Sequence, residues 1–445
     1  MTAEDTYFPR RFGPIELVRR ARTNQLSLFG PELFGRNLLY RKLLFLDSFL
    51  VNHPDYIERV LLTNQQNYAK SHFVRRLLVP VLGQGLFTAE GELWRRQRRI
   101  AAPAFQHRRI EGFVDIMADA AEALVERWRG RQGVFDLSAE MMGLTLEIIA
   151  RTLFSTDVSG QIERVRELMD VLIYDLKPSP LDLFGFPDWL PRPLPRSVRE
   201  AVAEFDAMIA AIVAPRRRDG RDRGDLLSML MLAKDPETGE GMSDRQLRDE
   251  VITFFLAGHE TTANALGFAW WLLAQNPQAE ARLQAEADQA LDRRRATFAD
   301  LAHLPYAKMV FEETLRLYPP AHTISRRAVG EDVIGGVRIP PGALVTISAY
   351  VTHRNPTLWP DPERFDPERF SAEGAAGRHR FAYLPFGGGP RICIGMPFAI
   401  AEAQVILATL ARSFRIRPLP GHDIEPVGMI TLRAKGGIPV TLEER

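Results

Sequence analysis

Apolar residues recur at three- and four-residue intervals over most of this chain, which predicts a string of amphipathic helices. The spacing predicts helices from His53-Pro-Asp to about Tyr68, Glu92 to about Ile100, Arg109 to about Arg129, 137–155, 160–175 and Arg196 to Val213. A capping box, Ser243-Asp-Arg-Gln246, opens the longest, which runs to about Gln275 and stops before Pro277. At 1.5 Å per residue it spans roughly 48 Å, enough to cross a large domain. Helical spacing returns at 278–294, at 305–318 and from Met396 to Leu410. Strand-like alternation is confined to short runs. Arg41–Asp47 and Ser48–Asn52 read as two strands that can pair as a hairpin, 323–353 alternates around Gly335-Gly336 and Pro340-Pro341-Gly342, and the tail from Phe414 is strand-like. Residues 69–90, the charged run from Pro215 and the segment Pro356–Arg378 read as loops. The proline-rich stretch 176–197 cannot form one long helix. It reads as a connector or as a mobile cover over an apolar cavity.

Length alone suggests about three domains. The strands, however, are scattered between helices, and there is no internal repeat and no clean linker. The expectation is one mainly α domain over 1–445 with a small β region. With 46% hydrophobic and 25% charged residues, a large core is possible. A net charge of +1 makes no case for nucleic acid. The N-terminus has no apolar run of leader or anchor length. The most apolar helix, Val251 to Leu273, carries His259, Glu260 and Asn264. A mid-span acid costs about 2.5–3.5 kcal/mol in lipid, so this is a core helix rather than a membrane anchor.

The single cysteine excludes an intrachain disulfide and a Cys-based zinc site, and it suits a reducing cytoplasm. It lies in Phe386-Gly-Gly-Gly-Pro-Arg-Ile-Cys393-Ile-Gly395, just ahead of a helical run. A lone cysteine is most often a small buried hydrophobe. Here Gly387 and its neighbours allow close approach to something flat. The coming helix N-terminus favours a thiolate, and Arg391 adds positive charge. A thiolate on such a loop is a way to hold haem iron. A second cluster, Ala257-Gly258-His259-Glu260-Thr261-Thr262, puts poor helix formers inside the long helix. An acid beside a hydroxyl there can form a proton relay, next to a helix turn widened to admit O2. His259 points about 100° away from Glu260 and reads as structural. Glu313 and Arg316, at i and i+3, share a helix face. In the run Trp94-Arg95-Arg96-Gln97-Arg98-Arg99, Trp94 and Arg98 share a face, and both can donate to a carboxylate.

The fixed residues Phe386, Gly389, Arg391, Cys393 and Gly395 fill every place of the haem-loop pattern of the cytochrome P450 superfamily. The chain resembles that family from the Trp94 helix to the C-terminal strands. Its helix motif and its Thr431-Leu-Arg tail are similar to the fatty-acid-hydroxylase-like branch. The resemblance implies a single-domain P450 fold holding haem b on the Cys393 thiolate, with Ala257 and Gly258 against the haem. It assigns Glu260 and Thr261 the acid–alcohol relay, and Trp94, Arg98 and Arg391 the haem propionates, joined by Arg326 or Arg327. Phe386, Gly387 and Gly395 belong to the haem loop. Glu313 and Arg316 form a scaffold pair completed by Arg369, or by Arg364 of the tandem copy. Arg95, Arg96 and Arg99 are left to face outward as a basic patch for an acidic electron donor. The implied activity is monooxygenation by a monomer with O2, driven by a separate ferredoxin and its NAD(P)H reductase. By position, the substrate cavity draws on 72–87, 181–190, Phe254, Phe255, Ala257, Ala321 to Ser325 and Gly428 to Thr431, nearly all apolar. That favours a fatty acid, terpene, steroid or alkane. The alternatives are a peroxygenase or isomerase of the same fold, and a haem sensor without turnover.

Overall fold

The computed structural model describes residue 8 and residues 12–43, 45–155, 159–184, 186, 193–292 and 294–445. Trp189 and Leu190, named above as cavity lining, lie outside the described residues. The first helices are α1 (Pro14–Thr23), α2 (Pro54–Glu58), α3 (His72–Leu82), α4 (Gly91–Ala101) and α5 (His107–Trp128). Next come α6 (Leu137–Phe154), α7 (Ser159–Tyr174), α8 (Pro180–Leu183), α9 (Arg196–Asp219) and α10 (Leu226–Leu232). The last are α11 (Asp244–Gln275), α12 (Pro277–Leu291), α13 (Pro305–Leu317), α14 (Ala349–Thr352) and α15 (Met396–Ser413). The capping box forms as expected: Ser243 accepts from the Gln246 amide, and the Gln246 side chain reaches back to the Ser243 amide.

Strand residues are few. One five-stranded sheet has the order β1-β2-β8-β5-β3, with β1 (Leu38–Leu43), β2 (Leu46–Val51), β3 (Tyr68–Lys70), β5 (Ile324–Ala328) and β8 (Leu344–Ile347). Only β2 and β8 run parallel within it. A three-stranded sheet joins β4 (Phe135–Asp136), β12 (Pro439–Glu444) and β9 (Phe414–Pro418). Two hairpins complete the set, β6 (Asp332–Ile334) with β7 (Val337–Ile339), and β10 (Pro426–Gly428) with β11 (Leu432–Ala434). The largest core cluster fills the space between α5, α6, α11, α12, α13 and α15. Helix α11 packs along α6, and α15 along α5. No helix among the described residues is long and apolar enough to cross a membrane.

Several local expectations need correction. Residues 69–90 are not a loop: Ser71 caps α3 by accepting from the Val74 amide, and the helix contains Pro80. Pro80 removes one bond in the last turn of the helix. The run from Pro215 continues α9 to Asp219, held because Arg216 is buried and donates to Asp225 and to the Phe154 carbonyl. The helix at His53 does not reach Tyr68. It widens to a π turn over Arg59–Thr63, and a 3-10 turn and β3 follow. The first hairpin turns between Leu43 and Leu46, before Asp47. Helix α12 ends at Leu291, where Asp292 takes a left-handed φ of 38°.

Behind α11 and α15, α13 buries Glu313 and Arg316 completely. The Arg316 guanidinium donates to both Glu313 oxygens at 2.7 and 2.8 Å. It also donates to the carbonyls of His353, Pro362 and Arg364. The Asp366 amide donates to Glu313 at 2.8 Å. Arg369 stands 3.5 Å from the same carboxylate, whereas Arg364 turns outward to Asp366. The three guanidinium bonds that leave α13 all end on the loop 353–366, so one side chain organises a segment without regular structure of its own. Removing one partner of such a pair strands the other charge. Arg316→Leu is expected to lose about 3–5 kcal/mol of stability in chemical denaturation. A loss below about 1 kcal/mol would show that the fork does not hold the loop.

Candidate active site

The cysteine loop is a tight backbone structure. Gly387 and Gly389 take φ of 74° and 67°, which only glycine adopts freely. The Cys393 amide donates to the Phe386 carbonyl at 2.9 Å and closes the loop. A Cβ on Gly389 would stand 1.8 Å from the Leu61 carbonyl oxygen, so the loop lies directly on the π turn. Gly395 caps α15, and its amide and that of Met396 reach the Cys393 sulfur. Protein crowds Cys393, and burial pushes its thiol up against the pull of those amides and of Arg98. Its surface is nevertheless open. Both hold for a group on the wall of an internal cavity. The helix-start amides alone therefore do not make it a thiolate; a bound metal would.

The middle of α11 has the same character. Ala257 is exposed and Gly258 and Thr261 are partly exposed, although most of the residues around them are buried. A Cβ on Gly258 would lie 2.9 Å from Ile149, so glycine lets α6 approach here. The expected widened turn is absent, for α11 runs unbroken. Instead hydroxyls bond to its carbonyls: Thr261 donates to Ala257 at 2.8 Å, and Thr145 of α6 donates to His259 at 2.9 Å. His259 is buried, donates through Nδ1 to Phe255, and is held down at about 4 by burial. Glu260 is buried too, raised by burial and partly offset by a hydrogen bond from Thr431. Glu260 thus turns to the tip of the β10–β11 hairpin, while Thr261 turns to the open side. The two are neighbours in sequence but are not hydrogen-bonded to each other.

Cations gather on another wall. Strand register sets Lys70 beside Arg326. Burial pulls Lys70 well down and Arg326 to about 10, and the charge of Arg391 adds to both effects. Lys70 also lies over the Phe87 ring, and Arg391 over the Trp94 ring at 4.3 Å. The acid that offsets them is Glu90, 3.5 Å from Arg391. Arg98 donates to the Ile392 carbonyl at 3.0 Å, at the foot of the cysteine loop. Arg327 points to the other face of β5, because neighbours in a strand alternate. Lys70 was not among the sequence candidates, since its proximity arises only from β3–β5 pairing. One buried and two half-buried cations facing one carboxylate lack negative charge, and a group with two carboxylates on an apolar body fits that deficit. The expected outward basic patch is not free. Arg95 pairs with Glu92, Arg96 with Glu240, and Arg99 with Asp235 and Glu237.

The chain belongs to the cytochrome P450 family, whose model, described as Cytochrome P450, matches residues 36–436. It is 40% identical to the cyclooctatin synthase of Streptomyces melanosporofaciens, over 87% of this chain and 84% of that one. It is 39% identical to the cyclooctat-9-en-7-ol 5-monooxygenase of the same organism, over 85% and 82%. A solved structure, the cytochrome P450DA heme domain, superposes with a TM-score of 0.83 at 26% identity, over 99% of this chain and 97% of that one. The protein is a haem-dependent monooxygenase, its haem held by a cysteine thiolate. It acts with O2, a hydrophobic substrate and a redox partner.

One buried acid went unnoticed in the sequence. Glu402 on α15 is pushed up to about 8 by burial, partly offset by the Thr262 hydroxyl of α11. Its folded value lies above the ordinary 4.5, so the neutral form stabilises the fold fully below pH 4.5, and that contribution is lost as pH rises to about 8. Glu250, also raised to about 8, acts with the same sign. Glu402→Gln should flatten the loss of stability between pH 5 and pH 8, by about 1.4 kcal/mol per unit of that window at most. Denaturant midpoints at the two pH values read this directly, and an unchanged slope in the variant would rule out Glu402 as its source.

Proposed function

We propose that this enzyme inserts one oxygen atom from O2 into an apolar terpene-class molecule, with Cys393 as the iron ligand. The observation that carries the proposal is the open sulfur of the sole cysteine, on a loop whose Arg391 belongs to a cluster of cations with a single acid. The two similar Streptomyces enzymes, named for cyclooctatin synthesis and cyclooctat-9-en-7-ol oxidation, support the terpene class. Residues 1–445 act as one domain and as a monomer. A free cysteine suits a reducing cytoplasm.

When bound, the haem supplies an iron centre made electron-rich by the thiolate for O2 activation. The protein's own residues position and protonate. Lys70, Arg98, Arg326 and Arg391 would neutralise the haem propionates, with Trp94 packed beneath Arg391. With haem bound, Ala257 would keep the open side of α11 low, and Gly258 would support it by letting α6 pack close behind. Thr261 offers a hydroxyl oxygen to the open side. Burial shifts Glu260 toward its neutral form, against the pull of the Thr431 hydroxyl. Passing its proton to Thr261 requires Glu260 to leave Thr431 or to use a bridging water. Glu313, Arg316 and Arg369 hold the support behind the loop. A ferredoxin and its NAD(P)H reductase supply electrons. Docking does not depend on Arg95, Arg96 or Arg99, whose charges are already met by acids.

Two variants test the reading. Cys393→Ala should abolish the long-wavelength absorption band of the reduced, CO-treated protein, and Thr261→Ala should divert electrons into hydrogen peroxide. A retained band, or unchanged coupling, would sink the corresponding role. Arg326→Leu should weaken haem retention by at least tenfold, while Arg327→Leu should change it less than twofold, given that a charge-assisted bond contributes about 1.5–3 kcal/mol. Haem transfer to apomyoglobin measures both, and equal losses would contradict the assignment.

A further inference from the structure

The segment Pro320–Thr323 is fixed from both sides between α13 and β5. The Pro320 carbonyl accepts the Leu432 amide at 2.9 Å, and the His322 carbonyl accepts the Ser348 hydroxyl at 3.1 Å. Within it His322 is buried, Ala321 is exposed and Thr323 is partly exposed. The next residue, Ile324, reaches within 3.6 Å of the position a Cβ on Gly387 would take, so the partly exposed Thr323 stands one residue from a direct contact with the cysteine loop.

The hydrogen bonds of His322 decide what Thr323 can offer. Its Nε2 lies 3.0 Å from the Met429 carbonyl. A carbonyl only accepts, so Nε2 carries the ring proton. Nδ1 is therefore an acceptor, and the Thr323 hydroxyl, 2.6 Å away, donates to it. Burial holds His322 at about 4, so no second proton arrives near neutral pH. Among the described residues no other hydrogen bond engages the Thr323 oxygen. The hydroxyl proton is committed, and lone pairs are what remains.

We infer that Thr323 is an acceptor-only contact in the substrate cavity, which selects apolar molecules bearing a free hydroxyl over ethers and carboxylates. A substrate O–H donates to the Thr323 oxygen. An ether or a carboxylate sets lone pair against lone pair, and the specificity arises from that repulsion as much as from the attraction. The inference rests on the terpene-class reading and narrows it to skeletons that already carry an alcohol. The reaction that supplies the substrate is then one that places a hydroxyl on the hydrocarbon. His322 is a positioning residue, acting only by fixing the hydroxyl of Thr323.

The test titrates the haem-loaded enzyme with geranylgeraniol, geranylgeranyl methyl ether, dodecan-1-ol and dodecyl methyl ether, read by the iron spin-state shift. The expected result is alcohols binding about five- to tenfold tighter than their ethers. Thr323→Val should bring that ratio to about one, and Thr323→Ser should keep it. His322→Leu releases the Thr323 hydroxyl to donate, so ether affinity should rise, which a merely structural histidine would not produce. Equal binding of alcohol and ether by the wild type, a ratio that survives Thr323→Val, or no binding of either alcohol overturns the inference. Binding of the linear pair alone removes the terpene reading, while the ratio within that pair still judges Thr323.

Discussion

The closest backbone approach at the site is between Gly389 and the Leu61 carbonyl, and much of the surrounding structure follows from it. Any side chain at Gly389 would collide with that oxygen. The contact sets the cysteine loop on the Arg59–Thr63 turn, and that turn is a π turn rather than a continuation of α2. Such bulges cost helix regularity and are found where function needs a local shape. The β3 strand can start at Tyr68 only because the helix has ended. With β3 in place, Lys70 comes beside Arg326, and the cation wall is assembled. A glycine in one loop thus bears on charge placement in a sheet edge far away in sequence.

The second constraint is the cost of burying charge. The protein meets it in two ways. At Glu313 and Arg316 every fork position is used, and the pair becomes a structural post. At Lys70, Arg326 and Arg391 a single acid, Glu90, offsets three cations, and burial lowers all three. An unmet cluster is stable only if something else supplies the negative charge. This makes the cation wall a better indicator of the cofactor than the cysteine itself, whose thiol is raised by burial in the same way as that of an inert core cysteine. The acids Glu250, Glu260 and Glu402 are the opposite case. Burial keeps them toward neutrality, so they cost less than ions would and can still accept hydrogen bonds.

The long helices, the capping box at Ser243 and the cysteine loop were legible because each is a local pattern, set by periodicity or by a fixed spacing. The scaffold pair was legible for the same reason, being one helical turn apart. What escaped was set by tertiary contact. Pro80 and Pro215 look like breakers, yet packing keeps both helices intact. Lys70 has no distinguishing neighbour in sequence; pairing with β5 selects it. Arg326 and Arg327 are equivalent as letters, and only the pleat separates them. Of the leftover arginines of α4, Arg96 and Arg99 looked free because their acids lie more than a hundred residues away, at Asp235, Glu237 and Glu240. Glu260, the proposed relay acid, lies on the long helix, but the hairpin that holds it, through Thr431, could not be read from α11.

That hairpin joins two regions that a chain reading keeps apart. Thr431 holds Glu260, its carbonyl accepts the Met429 amide, and the Met429 carbonyl fixes the tautomer of His322. The proposed proton supply and the proposed substrate contact therefore share one three-residue support, Met429 to Thr431. If Glu260 has to leave Thr431 to deliver a proton, the Thr431 hydroxyl is freed while the backbone bond to Met429 and the bond to His322 remain, because neither uses that side chain. The contact that reads the substrate can stay fixed while the relay acid moves. A side-chain bond in place of either backbone bond would tie the two events together, and each proton delivery would loosen the grip on the substrate. The backbone route keeps the moving acid and the stationary acceptor mechanically independent despite their common anchor.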